Sequence, residues 1–125
     1  MDRAETGRRG EGAAARFYSQ RGCTVLARNY HTRYGELDLI LRDQQEGLIF
    51  CEVKTRAAGT PYAPAEAVDA AKRRRLILAA ELYLQRTGQS DEPVRFDIAE
   101  VTPLDSGRWM VHIIKGAFSA DDIAP

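Results

Sequence analysis

Two alternating stretches separated by a short polar turn constrain this chain more than anything else in it. The first is Gly35-Glu36-Leu37-Asp38-Leu39-Ile40-Leu41 and the second is Ile49-Phe50-Cys51-Glu52-Val53-Lys54. Side chains of a strand alternate with period two, so both stretches read as strands. Leu37, Leu39 and Leu41 are expected on one face, with Glu36 and Asp38 on the other. Residues 43–47 have turn composition, which makes the pair an antiparallel hairpin. If the turn centres on Gln45, Asp38 falls opposite Glu52 and Glu36 opposite Lys54. Directly opposed residues on one face sit about 4.5–5.5 Å apart at Cβ. Two carboxylates at that distance repel unless a cation lies between them or one is protonated. Facing carboxylates with a lysine two residues along suit a divalent-metal site for phosphoryl chemistry.

The chain has 125 residues, enough for one domain with a real core. Its 44% hydrophobic and 29% charged content is that of an ordinary globular protein. No apolar run approaches the roughly 20 residues of a membrane span, and the N-terminus lacks a signal-peptide core. A cytoplasmic location is therefore expected. Cys23 and Cys51 sit in apolar strand contexts and read as buried thiols rather than a disulfide or metal pair. His31 and His112 are far apart in sequence and receive no role. The net charge is zero but unevenly spread. Residues 1–35 carry seven arginines against Asp2, Glu5 and Glu11, whereas residues 88–125 carry seven acids against Arg95, Arg108 and Lys115. The front of the chain is suited to a polyanion and the tail is not.

Residues 3–21 read as a helix capped by Gly22. Its inward stripe holds Gly7, Glu11, Ala14, Ala15 and Tyr18. Glu11 reads alone as a carboxylate at the margin of the buried face; beside Asp38 and Glu52 it becomes a candidate third acid. Cys23–Ala27 is an expected strand, and Arg28–Tyr34 an expected polar connection. Residues 55–64 form an expected loop leaving the site. A helix is expected over about 65–87, stopped by Gly88, with a core stripe of Val68, Ala71, Lys72, Leu76, Ala79, Ala80 and Tyr83. Arg73, Arg74 and Arg75 read as a solvated face, whereas the amine of Lys72 can snorkel toward the sheet edge as a phosphate contact. Strands are expected over 94–101 and 108–114, with Phe96 and Trp109 as packing residues and a frayed end from 119. Helix, three strands, helix, two strands gives an α/β or α+β sandwich.

Asp38 followed by Glu52-Val53-Lys54 resembles the PD-(D/E)xK nuclease motif. With the helical Glu11 upstream it is similar to the arrangement of archaeal Holliday-junction resolvases. Gly10-Glu11, Ala13-Ala14, Arg28-Asn29, the hairpin string through Arg56, Ala67-Val68, Lys72 and Arg95-Phe96-Asp97 together resemble the bacterial YraN-like family, over about residues 5–101. The resemblance implies a restriction-endonuclease-like α/β domain, with a central mixed five-stranded sheet flanked by helices and a core over about 5–115. It implies Mg²⁺ or Mn²⁺ bound by Glu11, Asp38, Glu52 and the Val53 carbonyl, and it makes Lys54 the catalytic lysine beside Asp38 and Glu52. Arg56 and Lys72 are expected phosphate contacts, and Glu36 a group that holds Lys54 in place. Cys51 stands where the motif carries valine, and Asp38 lacks the preceding proline. The expected function is a metal-dependent nuclease acting on nucleic acid, DNA first and branched DNA in particular, as a homodimer. The alternatives are a non-catalytic nucleic-acid-binding accessory protein in recombination or repair, and a buried polar network with neither activity.

Overall fold

The computed structural model describes residues 3–56 and 68–123, so most of the expected 55–64 loop and residues 65–67 lie outside it. The order is α1 (Arg3–Ser19), β1 (Thr24–Thr32), β2 (Gly35–Asp43), β3 (Gly47–Thr55), α2 (Ala70–Thr87), β4 (Val94–Pro103) and β5 (Trp109–Phe118), then a 3₁₀ turn at Ala120–Ile123. One five-stranded sheet has the strands in sequence order. β1–β2, β2–β3 and β4–β5 are antiparallel, and β3–β4 is parallel. A parallel pair needs a crossover, and α2 supplies it. The sheet is thus mixed, as expected.

A helix covers each face. Ala14, Ala15 and Tyr18 of α1 pack on Leu39, Leu41, Ile49, Cys51, Ala99 and Val101. Small side chains on the helix let it lie close to the sheet. On the other face Leu76, Ile77, Ala80 and Tyr83 of α2 pack on Ile40, Leu48, Phe50, Phe96 and Ile98. Phe96 is a core residue, as its place in an alternating strand indicated. Both cysteines are free thiols, and Cys51 is buried in the α1-side cluster.

α2 ends at the left-handed C-cap Gly88 (φ 70°), whereas α1 ends earlier than expected, at Ser19, and the turn after it closes at the left-handed Gly22 (φ 88°). Asp69 caps the start of α2, its carboxylate accepting the Lys72 backbone N–H at 2.8 Å. That cap begins the helix at Ala70, several residues later than the hydrophobic spacing suggested. Ala71, assigned to the core stripe, is exposed.

The first strand is longer than expected. Arg28, Tyr30, His31 and Thr32 pair with Leu39, Leu37, Glu36 and Gly35, so the polar connection over 28–34 is mostly strand. Its outer-edge position explains the polar composition, because an edge strand tolerates solvent on one side. β4 and β5 each run beyond their expected ends, and the last β5 residue, Phe118, is buried.

Candidate metal and phosphate site

The β2–β3 register is the one a turn centred on Gln45 predicts: Asp43 pairs with Gly47 and Leu39 with Cys51. Regular pairing stops at Leu39–Cys51, one step before Asp38 would meet Glu52. On the other side, Arg28–Leu39 and Tyr30–Leu37 flank Asn29 and Asp38. Asn29 has φ 52°, the one described non-glycine residue in the left-handed region, where asparagine is tolerated better than most residues. The alternation of β2 changes hand here. Leu39 and Leu41 join the α1-side core, whereas Leu37 joins the α2-side core. The expectation that the three leucines share a face therefore fails at the position of Asp38. A regular period-two reading has no means of showing that break.

Asp38 uses the irregularity. Its Oδ2 accepts the backbone N–H of Val53 at 2.9 Å, bridging the strands where their ladder ends. Burial, then the neighbouring charge of Glu52, raises its carboxyl to about 7, against the pull of the Val53 N–H. Glu11 arrives from α1. Its Oε1 is buried without a hydrogen-bond partner among the described residues. Burial raises its pKa, partly opposed by the Asn29 side chain and the charge of Arg28. Glu11 comes this close because Gly10 precedes it. A Cβ on Gly10 would stand 2.5 Å from Thr55 Oγ1 and 2.9 Å from Val101 Cγ2.

Glu11, Glu36 and Asp38 each offer an oxygen within 4.8 Å of the other two. Glu52 has a different environment. It is 7% exposed, and its Oε1 lies 2.8 Å from Lys72 Nζ and 3.8 Å from Lys54 Nζ. Burial, reinforced by Lys72, lowers the pKa of the Lys54 amine. Burial pulls the pKa of Lys72 down, but its hydrogen bond to Glu52, together with the charges of Glu52 and Asp38 and its contact with Lys54, holds it above the ordinary value. The site thus has an acidic half from α1 and β2 and a zwitterionic half from β3 and α2.

Of the residues singled out from sequence, Glu11, Asp38, Glu52, Lys54 and Lys72 form one connected constellation. Glu36 stands with the acids rather than across from Lys54, and its Oε2 lies 3.3 Å from His31 Nδ1. Arg56 lies at the end of β3, its Nε 3.2 Å from the buried Glu100. Val53 contributes its N–H to Asp38, as described above. Gly10 and Asn29, part of the resemblance but given no role, act through the backbone they allow, and Asn29 also through its side chain on Glu11.

Asp97 is a second structural centre that received no role. It is fully buried and accepts from Tyr18 Oη at 2.7 Å, Arg95 Nε at 2.8 Å and the Gly116 N–H at 3.0 Å. The Arg95-Phe96-Asp97 spacing, two charged residues on one strand face, was its available signal.

The family description "Uncharacterised protein family UPF0102" matches residues 10–101. The chain belongs to the UPF0102 family. It is 47% identical to a UPF0102 protein of Symbiobacterium thermophilum over 91% of this chain and 96% of that one. A UPF0102 protein of Marinobacter nauticus is 42% identical, covering 89% of each chain. The UPF0102 match begins at Gly10, beside Glu11, and spans every residue of the site. Among the described residues no helix is long and apolar enough to cross a membrane.

Proposed function

We propose that this chain is a metal-dependent nuclease that hydrolyses phosphodiester bonds of nucleic acid. The observation that carries this reading is the convergence of Glu11, Glu36 and Asp38 beside a Glu52–Lys54–Lys72 cluster. The donors are all carboxylate oxygens, which suit Mg²⁺ or Mn²⁺. The buried oxygen of Glu11, without a hydrogen-bond partner among the described residues, and the raised pKa of Asp38 both suit a bound cation. Glu11 and Asp38 would hold the cation, with Glu36 or Glu52 as further ligand and the Val53 carbonyl as the resemblance implies. A cation held there polarises a phosphate and lowers the pKa of bound water.

Lys54 is the group suited to orient the attacking water, because burial and Lys72 weaken its hold on its proton. Lys72 keeps its charge and is suited to a phosphate oxygen. Arg56 is anchored on Glu100 and would contact phosphate from that position. The restriction-endonuclease-like assignment, DNA as substrate, a preference for branched DNA and a homodimeric state extend this reading by resemblance to junction-cutting enzymes.

A second reading has its own support. Lys72 already neutralises Glu52 at 2.8 Å, as in a site kept for binding rather than turnover. On that reading the protein is a non-catalytic nucleic-acid-binding accessory factor in recombination or repair. Cleavage of branched, flapped and single-stranded DNA with Mg²⁺ or Mn²⁺ separates the two. The nuclease reading expects wild type to cut, and Lys54→Ala to lose about 100-fold or more of the rate while retaining most DNA binding. Equal cutting by Lys54→Ala removes Lys54 from the mechanism. Binding without cutting by wild type selects the accessory role.

A further inference from the structure

Among the described residues, two adjoining hollows lie away from the acids. A groove of about 600 Å³ follows the outer side of α1, bordered by Arg8, Arg9, Arg16, Arg28 and Trp109. A hollow of about 360 Å³ adjoins it, sharing Arg16 and Trp109 and adding Phe17 and Arg108. Among the described residues one acid, Glu5, lines the first hollow, and its Oε1 pairs with Arg9 at 3.2 Å. Arg8, Arg16, Arg28 and Arg108 are exposed, and among the described residues none of the four pairs with a carboxylate. Like charges gathered on one face repel one another, and a polyanion relieves that repulsion.

Trp109 decides which polyanion. It is the single tryptophan of the chain. It is half-buried, with Cζ3 3.6 Å from where a Gly10 side chain would begin. One edge of the indole is therefore held against α1 while the residue lines both hollows. Guanidinium groups around an anchored aromatic ring are what a flexible strand with splayed bases needs. A duplex keeps its bases stacked and would engage the arginines alone. The two regions adjoin: Arg28 borders the groove opposite Gly12, the residue that follows Glu11 in α1.

We propose that this groove is a track for single-stranded nucleic acid, with Arg8, Arg16, Arg28 and Arg108 on phosphates and Trp109 stacked on a base. The track leads a strand past Arg28 toward the acid cluster. It deepens the proposed function by naming a substrate form, and it rests on the nucleic-acid part of that reading, not on cleavage.

Trp109 is its own reporter. Its fluorescence is titrated with a thymidine oligonucleotide of about 20 nucleotides in EDTA, where no metal chemistry occurs, and with a duplex of equal length. Anisotropy of the labelled oligonucleotide reads binding in parallel. The single strand should quench Trp109, bind more tightly than the duplex and weaken with salt. The double variant Arg16→Ala/Arg108→Ala keeps the reporter and should lose about tenfold or more in affinity, with the salt slope falling by roughly 1.4 for two lost phosphate contacts. Trp109→Ala should weaken binding by about 5- to 150-fold, and Trp109→Phe should recover much of it. The track is overturned by absence of binding, by binding without quenching, by duplex binding as tight as single-strand binding, or by indifference to the arginine substitutions. Loss of cleavage in Lys54→Ala with quenching intact leaves the track in place, so the two readings fail separately.

Discussion

Lys72 Nζ lies 2.8 Å from Glu52 Oε1, tying the first turn of α2 to β3 across the sheet face. The pair is well shielded, with the Lys72 side chain 32% and that of Glu52 7% exposed. Asp69 caps the helix on the backbone N–H of this same lysine, so the cap and the ion pair fix one turn from both ends.

Lys72→Met removes the nearer of the two amines that face Glu52 and leaves its buried carboxylate with Lys54 at 3.8 Å. The expected cost is about 1–3 kcal/mol, the penalty of an under-paired buried charge. Thermal unfolding with and without Mn²⁺ checks it. The variant should melt lower than wild type, and Mn²⁺ should raise its Tm more than that of wild type.

Asp38 makes a pH prediction of defined sign. Its folded carboxyl is raised to about 7 by burial and by Glu52, above an ordinary value of 3.8. The folded state therefore holds a proton that the unfolded chain has released, and stability drains away as pH rises from near 4 through 7. Asn at this position has no charge to bury. In EDTA, Asp38→Asn should gain on wild type between pH 4 and 8, by on the order of a few kcal/mol. Urea unfolding across that range measures the difference; a gap that does not change with pH contradicts the electrostatics described for the site.

The β2–β3 register, the glycines that stop the helices and the order of elements were legible because each rests on local rules. Alternating residues, a polar turn and Gly22 or Gly88 state their structure within a few positions. The Asp38–Glu52–Lys54 grouping was legible for the same reason, since a hairpin is a local object. The acid trio was less so. Glu36 turns to the acids only because β2 loses its regular pairing around Asp38, opposite a left-handed Asn29. Glu11 reaches them only because Gly10 lets α1 sit on Thr55 and Val101, a contact between residues about 45 and 90 positions apart.

Gly10→Ala tests that contact. A methyl group there meets Thr55 Oγ1 at 2.5 Å and Val101 Cγ2 at 2.9 Å, so α1 or those two side chains must shift. Overpacking of this kind costs about 1–3 kcal/mol despite alanine's better helix propensity. Chemical denaturation should show the loss, and Mn²⁺ affinity should fall with it because Glu11 moves with the helix. A neutral substitution would mean that the close approach does not set the position of Glu11.

Asp97 should behave as a purely structural charge. Asp97→Ala strips acceptors from Arg95, Tyr18 and Gly116 and is expected to cost about 3–5 kcal/mol. Tyr18→Phe removes one donor and should cost about 1 kcal/mol. Equilibrium unfolding measures both, and in the folded fraction of each variant metal binding should remain.

The central claim is that Glu11, Glu36 and Asp38, with Glu52 beside them, form a divalent-metal site. Calorimetric titration of Mn²⁺ into wild type and into Asp38→Asn tests it most directly. The account predicts saturable binding to wild type and its loss in the variant, which keeps the shape of the side chain but not its charge. No Mn²⁺ binding by wild type, either alone or with a DNA junction present, would contradict it.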